Sequence, residues 1–238
     1  MKKTINAMIL AVVLILFCAA GTRAHDTWIE EDNGKVAVLT GHHGAPEPYE
    51  PERVKKITGY TKNMWKVNLE LIRQDEKTVS RFDEPFAAFT AFMDNGYWLH
   101  TNKGWKNHRD KSGLKMIEEG RSYKYAKQIS EWNDKLSEPL GQRFEIVPLS
   151  DPTHMEEGEK LPVKIYFEGK PVDNAKISDS SSLAGDTHKL SEIKGQGPFE
   201  VSVGPAGPQK ITAKFVLPVE DKQVVWFAAS LAFNTEGK

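Results

Sequence analysis

His25 follows the tripeptide Thr22-Arg23-Ala24, whose small first and last residues suit signal peptidase. Cleavage there makes His25 the first residue of the mature chain and puts an α-amine and an imidazole on one residue. The amine has a pKa of about 7.7 to 8.0, so a transition metal displaces its proton at neutral pH. Imidazole suits nickel, cobalt, copper and zinc. Cleavage after Ala20, the second candidate, starts the chain at Gly21 and removes that chelate. His42 and His43 follow an apolar run and precede Gly44. Neighbours in a strand point opposite ways, so the two rings do not readily enter one site. His100 shares a strand face with Trp98 and is a third candidate. His25, His42, His43 and His100 are therefore the expected metal ligands, with Asp26 and Glu30 the carboxylates nearest His25. Each also has an ordinary reading, as a solvated chain end, a loop histidine or a packed strand residue. His108 lies in a charged loop, and His154 and His188 fall far along the chain.

The scaffold that must hold these residues has 238 residues, 39% hydrophobic and 27% charged, enough to bury a core. The 32 Lys and Arg balance 33 Asp and Glu without a basic block, which argues against a nucleic-acid partner. Residues 1–24 carry Lys2 and Lys3 ahead of an apolar run from Ala7 to Ala20. That run of about 14 residues is short of the roughly 20 a membrane span needs, and reads as a secretory signal. A soluble periplasmic or secreted protein is expected. Cys18, the only cysteine, follows Phe17 rather than a small residue, so no lipid anchor is expected, and it leaves with the signal. The mature chain then keeps 29 basic and 33 acidic residues. It has no thiol for disulfides, nucleophilic catalysis or zinc-thiolate binding.

Short runs rich in Val, Ile, Phe, Trp and Tyr, broken by Gly and Pro, fill the rest. They include Val36 to Thr40, Phe86 to Phe92, Gly96 to Thr101, Phe144 to Val147, Ile211 to Val216 and Val224 to Phe233. The pattern predicts an all-β protein of two β-sandwich domains, 25–140 and 141–238, joined at Ser137-Glu138-Pro139-Leu140-Gly141. Arg121 to Leu136 fits two periods: Tyr125, Ile129, Trp132 and Leu136 recur as on a helix, while Tyr123, Tyr125, Lys127 and Ile129 alternate as in a strand. Trp28, Trp65 and Trp98 read as sandwich core, with a sugar-binding platform the less favoured reading. There is no phosphate-binding Gly loop and no Gly-x-Ser-x-Gly elbow.

Three stretches resemble the exported accessory proteins of nickel and cobalt uptake transporters, a periplasmic group sharing a domain of unknown function. They are Ala24-His25-Asp26-Thr27-Trp28, Gly41-His42-His43-Gly44 with the following Pro and Glu residues, and Arg143 to Pro152 continued by Glu157 to Val172. The last is similar to the opening of transthyretin-like and carboxypeptidase-regulatory-like sandwiches, which implies a transthyretin-like or Ig-like second domain. Gly169 and Pro171 would set its tight reversal. The resemblance implies handling of nickel or cobalt beside a membrane importer, favours His42 over His43 as a ligand, and implies no catalytic residue. A non-enzymatic metal-binding protein is thus the first expectation. A His-first chelate is also similar to the histidine brace of copper oxygenases, which makes a copper redox enzyme the second. A non-catalytic binding or scaffold module is the third.

Overall fold

The computed structural model describes residues 25–42, 44–178, 181–182 and 190–236. Residues 1–24, the expected signal, lie outside the described residues, as do His43 and His188. The strands of the first half are β1 (Asp26–Asp32), β2 (Lys35–His42), β3 (Ala45–Pro46), β4 (Val54–Thr61), β5 (Lys66–Asn68), β6 (Ile72–Gln74), β7 (Lys77–Arg81), β8 (Phe86–Thr101), β9 (Gly104–Lys106) and β10 (Met116–Ile129). Those of the second are β11 (Phe144–Pro148), β12 (Lys160–Phe167), β13 (Lys170–Pro171), β14 (Lys176–Ser178), β15 (Ser181–Ser182), β16 (Leu190–Glu192), β17 (Phe199–Ser202), β18 (Gly207–Glu220) and β19 (Gln223–Thr235). Among the described residues helix is confined to two short 3₁₀ turns, Pro51–Arg53 and Asp134–Ser137, so the protein is all-β as the residue pattern predicts.

A ten-stranded sheet forms the middle of the molecule, with the order β16-β14-β18-β19-β10-β8-β4-β5, and β15 and β9 pairing at its margins. Side chains alternate across its two faces. On β10, Tyr125 and Ile129 join one apolar cluster with Phe144, Ile146, Val163 and Ile165 of the sheet β11-β12-β13, in which β17 also pairs with β12. Ala126 joins the other cluster, with Ile29, Val36 and Val38 of the sheet β1-β2-β7-β6, in which β3 also pairs with β2. The neighbouring β8 repeats the division, Ala88 facing one way and Phe89, Ala91 and Met93 the other. The two outer sheets therefore cover opposite faces of the central one, and two sandwiches share a layer. That sheet draws strands from both sides of the junction at 137–141, because β10 pairs in parallel with β19.

The ambiguous stretch is settled by this burial: Met116–Ile129 is a strand and only Asp134–Ser137 turns as a helix. A central strand covered on both faces needs apolar residues at both parities, which blurs its period of two. Charged side chains enter the layers as well. Lys127 and Glu145 are fully buried with Nζ and Oε1 2.5 Å apart. Glu145 also accepts the backbone N–H groups of Leu140, Gly141 and Gln142, so one carboxylate organises the junction. The β12–β13 hairpin turns through Glu168 and Gly169, both at positive φ as a two-residue loop of the primed type requires, while Pro171 lies in β13 rather than in the turn.

Candidate metal centre

The β1–β2 register sets the site. Asp26 faces Gly41 and Thr27 faces Thr40, so one step outward His25 comes opposite His42. Directly opposed residues share a face and bring their Cβ atoms to about 5 Å. Past the turn after His42, β3 returns on the other flank of β2, with His42 facing Ala45 and Gly41 facing Pro46. The Glu47 amide then donates to the Thr40 carbonyl at 2.7 Å, which sets Glu47 on the face that carries Thr40 and His42. Gly41 is required here, since a Cβ at this position would lie 2.0 Å from the Ala45 carbonyl oxygen.

Three donors from three adjacent strands converge as a result. His25 Nε2 lies 3.0 Å from Glu47 Oε2, and His42 Nε2 lies 4.0 Å from Glu47 Oε1. The two rings meet edge to face at 4.4 Å. One donor atom from each of the three residues lies within 4.8 Å of the others. Donors bonded to one ion at roughly 2.0 to 2.2 Å sit about 3 to 4 Å apart, so small side-chain shifts would fit these residues to a metal. Two imidazoles and a carboxylate are a borderline set suited to Ni, Co, Cu or Zn. All three side chains keep some contact with solvent.

The electrostatics favour the ligating form of His25. Burial lowers its pKa below the ordinary histidine range, opposed by Glu47 and aided by Lys124 and His42. Lys124 is buried beneath it and donates from Nζ to the His25 carbonyl oxygen at 2.8 Å. Desolvation brings the Lys124 amine down to about 7, against the pull of Asp26. Asp26 is buried on the other side of the strand and faces two ammonium groups, Lys210 at 3.2 Å and Lys214 at 3.6 Å. It therefore balances core lysines rather than joining the cluster. Glu30 accepts the Trp28 indole N–H at 2.8 Å.

His100 does not join His25, His42 and Glu47. Its ring lies flat on Trp105, 4.3 Å between centroids and 3° between planes, with Glu118 Oε2 3.8 Å from Nδ1. It does line the same cavity as His25, a space of about 580 Å³. His108 is exposed, and His154 pairs with Asp151 at 2.8 Å on the surface. Trp28 is fully buried as core, but Trp65 is 73% exposed and Trp98 faces the cavity, so the core reading holds for the first alone. Glu47 is the site residue that sequence reasoning passed over. The signal for it was the His-His-Gly-Ala-Pro-Glu spacing, which returns the chain across β2 only if a hairpin forms there.

Residues 22–216 match the family described as a domain of unknown function (DUF4198), and the chain belongs to that family. No curated protein matches the chain. No helix among the described residues is long and apolar enough to cross a membrane.

Proposed function

We propose that this protein binds a divalent transition metal through His25, His42 and Glu47, and that after export it presents or buffers nickel or cobalt near a membrane importer. The observation that carries the reading is the convergence of three donors, brought together by strand register alone, with His25 held below its ordinary pKa. Removal of the leader before His25 would add an α-amine to the same centre. Glu47 also lines a cleft of about 770 Å³ bearing Glu30, Asp32, Asp75 and Glu76 against Lys35 and Lys77, which would raise the local concentration of cations. Nickel or cobalt, the importer and the periplasmic setting are supported by the resemblance of His25-Asp26-Thr27-Trp28 and Gly41-His42-His43-Gly44 to accessory proteins of metal uptake.

A bound ion would supply a positive centre with coordination positions left for a second ligand. The protein's own residues hold and orient it: β1 and β2 fix the two rings, and the β3 hairpin brings the carboxylate across. Ligands on a chain end and a short hairpin can part without disturbing the core, which suits transfer to another protein. Calorimetry of the exported protein with Ni²⁺, Co²⁺, Cu²⁺ and Zn²⁺, on a sample whose first residue has been sequenced, tests the reading. One ion per chain, lost in His42→Ala and Glu47→Ala, is expected. Absence of binding by any of the four ions overturns it, and oxygen consumption with reductant and Cu²⁺ would move the protein to the redox class.

A further inference from the structure

The sheet carrying β1 covers only part of one face of the central sheet, and the uncovered part is built like a binding site. Strand pairing sets Val216, Trp226 and Ser122 side by side in one row, and Lys214, Ala228 and Lys124 in the next row toward His25. Trp98 of β8 and Trp105 of β9 reach the same space. Trp105 meets Trp226 edge to face at 5.1 Å and 73°, so the two indoles form a floor and a wall, with His100 stacked behind Trp105. Among the described residues His100 Nδ1 is buried without a hydrogen bond. The cavity these residues enclose, about 580 Å³, has the size and the largely apolar walls of a small-molecule site.

Its charge is one-sided. Lys124, Lys176 and Lys214 line the cavity against a single carboxylate, Glu118. Lys214 and Lys176 form ion pairs with Asp26 and Glu192 at 3.6 Å, too long for hydrogen bonds, so among the described residues both ammonium groups keep N–H donors for a further acceptor. Tryptophan faces alone would also attract cations, but Lys176 and Lys214 on the same walls oppose that. Asn95 and Asn174 also line the walls, but the excess of lysines over carboxylates there favours an anion over a neutral sugar.

We propose that this cavity is a binding site for a small, flat organic anion, its ring in the corner formed by the Trp105 and Trp226 indoles and its carboxylate toward Lys214. His25 of the metal reading also lines this cavity, but the proposal is separate from that reading because the contacts it invokes, Trp105, Trp226 and Lys214, include no metal donor.

Calorimetry of the chelator-treated protein with 2-naphthoate, 2-naphthylmethanol and 2-naphthylmethylammonium tests it. The naphthoate is expected to bind one per chain, at least tenfold more tightly than the alcohol, with no measurable binding of the ammonium. Trp105→Ala, on the short β9 hairpin, is expected to weaken naphthoate at least tenfold, and Lys214→Met to bring it level with the alcohol. Trp226→Phe supplies a second aromatic substitution that preserves the fold. No naphthoate binding, equal binding of all three probes, or tighter binding of the ammonium overturns the proposal. So does naphthoate binding that neither aromatic substitution weakens. Titration of Ni²⁺ into the same samples reports the metal reading independently.

Discussion

Replacement of Lys124 by methionine isolates the cost of burying an amine under the candidate site. Lys124 has an ordinary pKa of 10.5 in the open chain and about 7 in the folded protein, chiefly through desolvation. Between those values the unfolded chain holds a proton that the folded one has lost, so stability rises with pH across the window. The full penalty, reached below the folded pKa, is about 5 kcal/mol at 1.36 kcal/mol per pH unit. From about pH 6 to about pH 9, roughly 2.5 kcal/mol of it should be recovered. The measurement is denaturant unfolding of wild type and Lys124→Met in chelator at several pH values in that range. The difference in unfolding free energy, variant minus wild type, should fall by about 2.5 kcal/mol as pH rises. Loss of the hydrogen bond to the His25 carbonyl is nearly independent of pH and drops out of that change. A difference constant to within about 0.5 kcal/mol would refute the reasoning, since Asp26 would then have held the amine near its ordinary value.

Glu47→Gln keeps the shape of the third donor but removes its charge, and should weaken Ni²⁺ binding by roughly 10- to 100-fold in calorimetry while leaving the melting temperature of the metal-free protein nearly unchanged. Gly41→Ala should disturb the β3 hairpin, because its methyl group would lie 2.0 Å from the Ala45 carbonyl oxygen. Metal affinity should fall with all three ligands still present, and an unaltered affinity would separate the hairpin from the site. Metal loss on acidification should fall below the usual histidine range, because His25 is held in its neutral form; a binding profile across about pH 5 to 8 checks it. Lys127→Met strands the Glu145 carboxylate in the core and should destabilise the protein by about 3 to 5 kcal/mol in denaturant unfolding.

Strand content was legible because the longer core strands carry dense apolar runs, and the His25–His42 pair was legible as chemistry though not as contact. What joined them was the register of one hairpin, which the Asn33-Gly34 turn fixes through positive φ at both residues. Glu47 was not legible, because its placement depends on a second, shorter hairpin with no apolar pattern. His100 and Trp98 share a strand face as alternation predicts, but stacking on Trp105 directs the ring into an aromatic cavity that no local spacing encodes. The sharing of one sheet by both halves was hidden for a different reason. Pairing of β10 with β19 joins distant segments, and the buried charges on β10 resemble those of a solvent-facing edge. Lys124 and Lys127 mislead in this way, each having a deep partner of its own.

The parallel seam between β10 and β19 has a consequence for synthesis. Every residue of β10 in that seam meets one 104 positions further along, Glu119 with Gln223 and Ile129 with Phe233. The seam lies in the middle of the sheet, and β18 reaches it only through β19. Until β19 leaves the ribosome, the first half carries an unpaired edge along β10, open to pairing with any passing chain. Assembly of the central sheet is therefore deferred until β19 has been made, and the nascent polypeptide spends that interval in a form that a holding chaperone can grip.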